Sequence, residues 1–211
     1  MLGAAGAAGA AGIATQRSSR GASSSKQDRR LNFLVLMSDQ HSPHVLGCYG
    51  DPVVRTPHLD RLAGRGVLFE NTYCQAPLCV PSRMSFLTGR QPSEIRVWNN
   101  SDILASDITT FAHVLGAAGY ETSLIGRMHF LGFDQCHGFE KRLVGDVAPP
   151  FPNGKFALSV DMLVGPSSPR AYVDVAGPGK TAYQVYDEQV TEAAVQYLRQ
   201  KRRQANNPFV R

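Results

Sequence analysis

An uninterrupted apolar run near the start of the chain constrains the fold more than any other feature of the sequence. Residues 31–37 carry one polar side chain, that of Asn32, and are followed at once by Ser38, Asp39 and Gln40. A short, continuously apolar run that ends in polar residues predicts a strand with both faces buried. Because such strands are typical of parallel sheets that helices cover on both sides, this segment predicts an α/β fold.

Helix and strand signals alternate along the rest of the chain. We predict strands at 67–69 and 120–126, helices at 57–66, 79–89, 110–118 and 183–204, and the first residues of another strand at 208–210. Thr109 is the predicted cap of the helix at 110–118, and Gly119 is its predicted stop. Apolar residues recur at near-helical spacing in the last helix, which is therefore amphipathic. This alternation predicts a mostly parallel sheet flanked by helices.

The chain divides into two regions of different composition. Residues 1–30 are rich in Ala and Gly and then in Ser and Arg, which predicts a low-complexity leader. This leader is either disordered or a remnant of a twin-arginine-like export signal whose start is missing, so the location stays open between cytoplasm and export. Residues 31–211 form the predicted folded domain. Within it, residues 147–179 are rich in Pro, Gly and Ser and predict an irregular insertion.

Composition and charge exclude several classes of function. Hydrophobic residues make up 43% and charged residues 18% of the 211 residues, as in globular proteins. The formal net charge is +5, but the basic clusters are not interleaved with aromatic residues. We therefore expect no nucleic-acid partner. No apolar run is long enough to span a membrane, so we expect no membrane insertion.

The four cysteines predict neither a zinc site nor a scaffold built from disulfides. Cys48, Cys74, Cys79 and Cys136 are scattered without paired short spacings. We predict free thiols at Cys48, Cys74 and Cys136. A disulfide between Cys74 and Cys79 is the competing hypothesis, and it would consume the thiol of Cys79.

Cys79 is the candidate nucleophile because it opens a predicted helix. Pro81 suits the first turn, where its missing N–H costs nothing, and Gly89 can end the helix. A group at Cys79 is expected to lie over unpaired backbone N–H donors at the positive end of the helix dipole, where anions bind. Taken alone, a single cysteine before a helix is more often a small buried residue than a catalyst.

The run around Cys79 resembles the signature of a known family. Cys79-Val80-Pro81-Ser82-Arg83, continued by Thr88-Gly89-Arg90, is similar to the sulfatase signature Cys-x-Pro-x-Arg with Thr-Gly-Arg. Residues 31–146 resemble the N-terminal part of a sulfatase, which implies the alkaline phosphatase-like α/β fold of that superfamily. The run at 129–140 is similar to a segment of choline sulfatases, and this narrows the resemblance to that subfamily.

The resemblance implies a nucleophile and a metal site. Cys79 would be oxidised to formylglycine by a modifying enzyme, and the hydrated aldehyde would displace the alcohol of a sulfate ester. Arg83, one helical turn further on, would neutralise negative charge there. Asp39, at the carboxyl end of the first predicted strand, would bind a divalent metal together with Gln40 and Cys79. Ca²⁺ is the first expectation, with Mg²⁺ or Mn²⁺ in its place as further options.

Three further residues are implied to contact the substrate. Arg127 replaces the lysine of the family's Gly-Lys-x-His segment, and its guanidinium can clamp sulfate but cannot donate a proton at useful pH. His129 is therefore the expected acid for the leaving oxygen, although a lone histidine is often only structural. Asn100 aligns with a sulfate-contacting asparagine of choline sulfatases, and the competing hypothesis for it is a turn-forming role.

The resulting prediction is a sulfuric ester hydrolase acting on a small-molecule sulfate ester, with choline sulfate as one option. A phosphonate monoester or phosphodiester hydrolase of the same superfamily is the competing enzymatic hypothesis. Gln40 departs from the usual second aspartate, and this departure resembles choline sulfatases and phosphonate monoester hydrolases alike. Nothing after Asp146 resembles the later metal ligands of sulfatases, so we expect an N-terminal fragment whose sheet is incomplete at its C-terminus and which need not be active alone. Two non-enzymatic hypotheses, a truncated paralogue without catalysis and a small anion-binding module, also stay open, as does the oligomeric state, including a homo-oligomer.

Overall fold

The computed structural model describes residues 30–147, 178–203 and 209–210. The predictions for the leader at 1–30 and for nearly all of the insertion at 147–179 lie outside these residues, so the proposed domain division stays a prediction. In chain order the elements are α1 (Pro57–Ala63), α2 (Cys79–Thr88), α3 (Pro92–Ile95), α4 (Phe111–Ala117), β1 (Glu121–Leu124), β2 (Lys141–Arg142), α5 (Ala182–Arg203) and β3 (Phe209–Val210).

The strands form one parallel sheet with β1 in its centre. Glu121 of β1 pairs with Phe209 of β3, and Ser123 pairs with Lys141 of β2 on the other side. The order is therefore β2-β1-β3. Parallel neighbours require crossover connections, and α5 lies in the connection between β2 and β3. The predicted α/β class with a parallel sheet flanked by helices is confirmed.

Two of the predicted strands are wrong. Residues 31–37 and 67–69 form no strand, and only Phe33 makes an isolated bridge. Leu31 and Leu36 are each 72% exposed, so the apolar run that predicted a buried strand is not buried here. Both edges of β1 are paired, and β2 and β3 are two residues long each, so their outer edges offer too little backbone to pair with the run at 31–37. A strand forms only where another backbone of matching length is free to pair with it, and the apolar pattern does not show this.

The core lies where α2 packs against α3 and α4. Its buried apolar residues come mainly from α2, from the segments on either side of α4, and from the loop after β1. They are Val80, Met84, Leu87, Ile95, Val97, Leu104, Ala112, Leu124, Met128, Phe130, Leu131 and Phe139. Phe111 extends the core edge-on to Phe86 and Phe139, at centroid distances of 5.6 Å and 6.0 Å. The catalytic candidates on α2 and after β1 are thus anchored to one core.

Helix α4 begins one residue later than predicted. Thr110, not Thr109, is its N-cap, and the hydroxyl of Thr110 donates to the backbone carbonyl of His137 at 2.7 Å. That tertiary hydrogen bond selects between two adjacent threonines that local sequence cannot tell apart. Gly119, the predicted stop, follows the helix with φ of +81°. Left-handed backbone of this kind is the usual role of glycine at a helix end.

A carboxylate on β1 connects the sheet to α5. Glu121 accepts hydrogen bonds from the hydroxyl of Tyr197 and from Lys201, whose Nζ lies 2.5 Å away. Lys141 pairs with the same carboxylate at 3.0 Å, and the Glu121 side chain is 15% exposed. Burial raises the pKa of Glu121, but hydrogen bonds from Lys201, Tyr197 and Lys141 together outweigh burial and lower it from 4.5 to about 2.

We expect the stability of this protein to fall as pH drops from about 4.5 towards 2, because protonating Glu121 removes these contacts. A carboxyl whose pKa is lowered by folding stabilises the folded state above its unfolded pKa and loses that contribution as pH falls through the folded pKa. The Glu121 share is on the order of 2 kcal/mol. Urea unfolding at pH 5 and pH 2.5 measures it, with Glu121→Gln as the control. Equal pH dependence in wild type and Glu121→Gln would contradict the assignment.

Candidate active site

Cys79 is the first residue of α2, as the sequence predicts. Leu78 before it is extended, with φ of −133°, and Pro81 lies in the first turn. Gly89 ends the helix in left-handed conformation, φ +66°, and its N–H donates to the carbonyl of Ser85 at 2.8 Å. Cys79 is a free, half-buried cysteine. The thiol is therefore at the positive end of a helix whose next residues are in the core.

The expectation of unpaired N–H donors around Cys79 is wrong for one residue of this turn. The N–H of Val80 donates to the side-chain oxygen of Asn100 at 3.0 Å. Pro81 has no N–H, and the N–H of Ser82 makes the first bond inside the helix, to the carbonyl of Leu78 at 3.0 Å. Because few backbone donors are left at this end of α2, an anion bound there would be held mainly by charged side chains.

Asn100 is therefore a helix cap, and its substitution separates two roles. We expect Asn100→Ala to lower the free energy of unfolding by about 1 kcal/mol, because α2 loses the acceptor for the Val80 N–H. Asn100→Asp keeps an acceptor and should retain stability, but its negative charge should weaken the binding of inorganic sulfate by about tenfold or more. Chemical unfolding and titration with sulfate measure the two effects. Unchanged sulfate binding in Asn100→Asp would leave Asn100 with the cap alone.

Arg83 and Arg127 converge on the carboxylate of Asp39. Nη2 of Arg83 lies 3.4 Å from Oδ1, and Nη1 of Arg127 lies 3.1 Å from Oδ2. The Arg83 side chain is 8% exposed, and its Nη1 also donates to the backbone carbonyl of Arg127 at 3.0 Å. Two guanidiniums on opposite oxygens of one carboxylate can both reach a single oxyanion, and in this structure that oxyanion is the Asp39 carboxylate itself. Arg83 comes from the helix that begins at Cys79, so this site is built onto that helix.

The ring of His129 lies against Arg127. Nη2 of Arg127 is 3.2 Å from Nδ1 of His129. Arginine can only donate, so Nδ1 accepts and the proton of the neutral ring is on Nε2. Burial lowers the pKa of His129, and the positive charge of Arg127 lowers it further, while Asp146 opposes the shift. At neutral pH His129 is therefore a neutral imidazole that can donate from Nε2.

The predicted metal ligands do not form a cluster in the part of the chain that is described. Asp39 has a half-exposed carboxylate that is occupied by two guanidiniums, and Gln40 is exposed. No group of three or more His, Cys, Asp or Glu residues among the described ones could hold a metal ion. A divalent cation requires six or more oxygen ligands or several anionic ones, and this set does not fit it.

Asp146 is a contact residue that the sequence did not single out. Its carboxylate accepts from the backbone N–H groups of Met128 and His129 at 2.8 Å each. Asp146 lies in a loop after β2, far from His129 in sequence, and neither periodicity nor a motif connects the two. The one feature of the sequence that points to an acceptor such as Asp146 is the turn at His129, because buried backbone N–H groups in a turn need acceptors.

Comparison with known proteins gives one consistent result. The family model described as Sulfatase matches residues 31–210. Choline-sulfatase of Rhizobium meliloti (strain 1021) is 44% identical over 118 residues, covering 56% of this chain and 23% of the relative. Iduronate 2-sulfatase of Homo sapiens is 32% identical over 190 residues, covering 85% of this chain and 33% of the relative.

Solved structures agree with the fold. The structure of a protein in complex with its substrate D-glucosamine-2-N,6-O-disulfate aligns with a TM-score of 0.51 and 35% identity, covering 54% of this chain and 23% of that one. Phosphonate monoester hydrolase of Agrobacterium radiobacter aligns with a TM-score of 0.61 and 22% identity, covering 86% and 40%. At that identity the likeness concerns the fold alone.

The chain spans between 23% and 33% of the length of the two curated relatives described above. Among the described helices, none combines the length and the apolarity that a membrane span requires. These comparisons therefore concern the part of a protein that carries Cys79, Arg83, Arg127 and His129.

Proposed function

The chain belongs to the sulfatase family. We propose that it contributes two parts of a sulfuric ester hydrolase: the nucleophile, and an anion clamp formed by the guanidiniums of Arg83 and Arg127. In this proposal Cys79 carries the nucleophile after oxidation to formylglycine by a modifying enzyme. The hydrated aldehyde offers a hydroxyl that attacks sulfur and displaces the alcohol. The position of Cys79 at the start of a core-anchored helix supports this role.

The observation that carries the proposal is the convergence of Arg83 and Arg127 on one carboxylate. Their nitrogens lie 3.4 Å and 3.1 Å from the two oxygens of Asp39, so the two guanidiniums can reach one oxyanion at the same time. In the proposed enzyme a sulfate group takes the place of this carboxylate between them. In the proposed enzyme they stabilise the negative charge that develops on the sulfate oxygens. Preorganised cations of this kind are usually the largest contribution to catalysis of group transfer.

His129 is the proposed acid for the leaving alcohol. Its Nδ1 is occupied by Arg127, so the proton on Nε2 is the one that can be transferred. Only the imidazolium form of His129 can give a proton to the leaving oxygen and become the neutral ring. Because burial and the charge of Arg127 lower the pKa of His129, this form is a minor one at neutral pH, and the acid role predicts a rate that rises as pH falls towards that pKa. Arg127 therefore contributes twice, as a clamp for sulfate and as the residue that fixes the tautomer of His129.

A divalent metal is part of the proposal for the whole protein, but we derive no step through it. Sulfatases generally use such a metal, and Asp39 and Cys79 are the residues of this chain that we expect near it, with Gln40. The described donors do not fit a cation by themselves, since the Asp39 carboxylate is paired with two guanidiniums. Ca²⁺, Mg²⁺ and Mn²⁺ therefore stay predictions.

Among sulfate esters, choline sulfate is the first substrate that we propose. The relative named choline-sulfatase is 44% identical over 118 residues, and the run at 129–140 that resembles choline sulfatases carries His129 itself. A different sulfate ester is the competing proposal, since relatives named for iduronate and steryl substrates also match. A phosphonate monoester hydrolase is the competing enzymatic proposal. Gln40 does not separate the two, because it resembles the residue of choline sulfatases as well as that of phosphonate monoester hydrolases.

The deciding experiment compares the kcat/KM of the whole protein for an aryl sulfate and for an aryl phosphonate monoester, together with the mass of the peptide that contains Cys79. We expect preference for the sulfate and an aldehyde at residue 79. Preference for the phosphonate would replace the sulfatase proposal with the phosphonate hydrolase. An intact thiol together with no turnover of either ester would favour a non-catalytic paralogue.

A further inference from the structure

In the loop after β1, the backbone of residues 128–130 is hydrogen-bonded to the buried carboxylate of Asp146. Oδ1 of Asp146 accepts from the N–H groups of Met128 and His129 at 2.8 Å each, and Oδ2 accepts from the N–H of Phe130 at 3.3 Å. The Asp146 side chain is 5% exposed and is paired with Arg142. Consecutive N–H groups that converge on one anion form an anion-binding nest, and here a side chain of the same protein fills it.

His129 needs such a partner because its backbone is strained. Its φ is +62°, in the left-handed region that non-glycine residues rarely adopt. That conformation costs about 1–2 kcal/mol and persists only where surrounding contacts maintain it. The hydrogen bonds to Asp146 flank the strained residue on both sides, so the carboxylate is the contact that maintains it.

Asp146 is itself fixed from two directions. Arg142, which pairs with it, also donates to the backbone and side-chain oxygens of Gln135, at 2.8 Å and 2.6 Å. Tyr186 of α5 donates its hydroxyl to the carbonyl of Gly145 at 2.6 Å, next to Asp146 in the chain. The carboxylate therefore has a defined place before any ligand arrives.

We propose that Asp146 is a positioning residue that holds the left-handed turn at His129 so that the imidazole stays against Arg127. The inference rests on the proposed function, since it assigns His129 and Arg127 to the reacting sulfate ester. Asp146 acts through these two residues and has no direct contact with substrate in this account. Carboxylates that orient metal-binding histidines typically contribute 10- to 100-fold to affinity or activity, and we expect an effect of similar size for a carboxylate that orients His129.

The first test is amide hydrogen exchange in the wild-type whole protein, which needs neither a variant nor activity. The amides of Met128, His129 and Phe130 lie in a loop without helix or strand. We expect them to exchange as slowly as the amides of the buried strand residues Thr122 and Ser123, because Asp146 accepts them. Exchange at the rate of an exposed loop would overturn the proposal, whatever reaction the protein catalyses.

The second test is Asp146→Asn, whose amide offers one acceptor oxygen where the carboxylate offers two. We expect exchange at Met128, His129 and Phe130 to accelerate by about 10-fold or more, and kcat for an aryl sulfate to fall by about 10- to 100-fold. KM should change by less than about threefold, because binding by the guanidiniums is retained. Unchanged kcat in a variant with accelerated exchange would overturn the positioning role.

Glu121→Gln is the matched control, since it also removes a mostly buried, cation-paired carboxylate from the sheet region. We expect it to lower stability while leaving both kcat and the exchange at His129 unchanged. If Glu121→Gln lost as much kcat as Asp146→Asn, the loss in Asp146→Asn would be explained by lower stability alone, and the proposal would be overturned. If the wild-type protein with an aldehyde at residue 79 hydrolyses no sulfate ester, the proposed function fails, while the exchange experiment still decides the role of Asp146 in the turn.

Discussion

Replacing Cys79 with alanine is expected to lower kcat for an aryl sulfate by at least about 10⁴-fold, the largest functional effect of any single substitution in this chain. The residue is half-buried at the first position of α2, where alanine has no steric conflict and favours the helix. The loss should therefore be chemical, with the unfolding midpoint nearly unchanged. Steady-state kinetics and urea unfolding of the same preparation separate the two contributions.

Cys136→Ala is the control for that experiment. Cys136 is an exposed free cysteine, and the contact of this residue with Asp134 is made by its backbone N–H, which alanine keeps. We expect its kcat to equal that of the unmodified protein. Retention of activity in Cys79→Ala would remove Cys79 from the reaction and leave the anion clamp as the remaining function of this end of α2.

Replacing Gly138 with alanine is expected to lower the free energy of unfolding by about 3 kcal/mol or more, the largest structural effect. Gly138 has φ of +92°, and a β-carbon there would lie 2.5 Å from Nδ1 and 2.7 Å from the backbone nitrogen of His113 in α4. The left-handed conformation costs about 1–2 kcal/mol, and overpacking against a helix backbone costs about 1–3 kcal/mol more. Urea unfolding measures the sum.

Two other glycines separate these contributions. Gly89 has φ of +66° with nothing within 4 Å of the added carbon, so Gly89→Ala should show the conformational cost alone, about 1 kcal/mol. Gly145 has neither positive φ nor a neighbour within 4 Å, so Gly145→Ala should lie within about 0.5 kcal/mol of the unmodified protein. If Gly138→Ala were no worse than Gly89→Ala, the close packing against α4 would be disproved.

Elements with local start and stop signals could be predicted from sequence. Helix α2 begins at Cys79 and is ended by Gly89, as predicted, and α5 occupies Ala182–Arg203 where the amphipathic pattern lies. The central strand, Glu121–Leu124, falls inside the predicted 120–126. In each of these elements, the residues that start it, end it or give it its apolar pattern lie within it or next to it. The local sequence is therefore enough to place the element.

Features that depend on a distant partner could not be predicted. The run at 31–37 has the pattern of a strand, yet it is exposed, because a strand also needs a free neighbouring edge. Asp146 has no pattern at all, and its role arises only when the loop at Met128 and His129 folds onto it. The anion clamp could be predicted in part. The family resemblance pointed to Arg83 and Arg127, but only the structure shows that both contact the carboxylate of Asp39.

The pairing of β1 with β3 has a consequence for synthesis. During synthesis, β3 follows β1 by about 90 residues, whereas β2, the partner of β1 on its other side, follows it by only about 20 residues. At about 5–20 residues per second, a ribosome needs roughly 5–20 seconds to deliver that second partner. During this interval one edge of the central strand presents unpaired amides and carbonyls, which can recruit a neighbouring nascent chain.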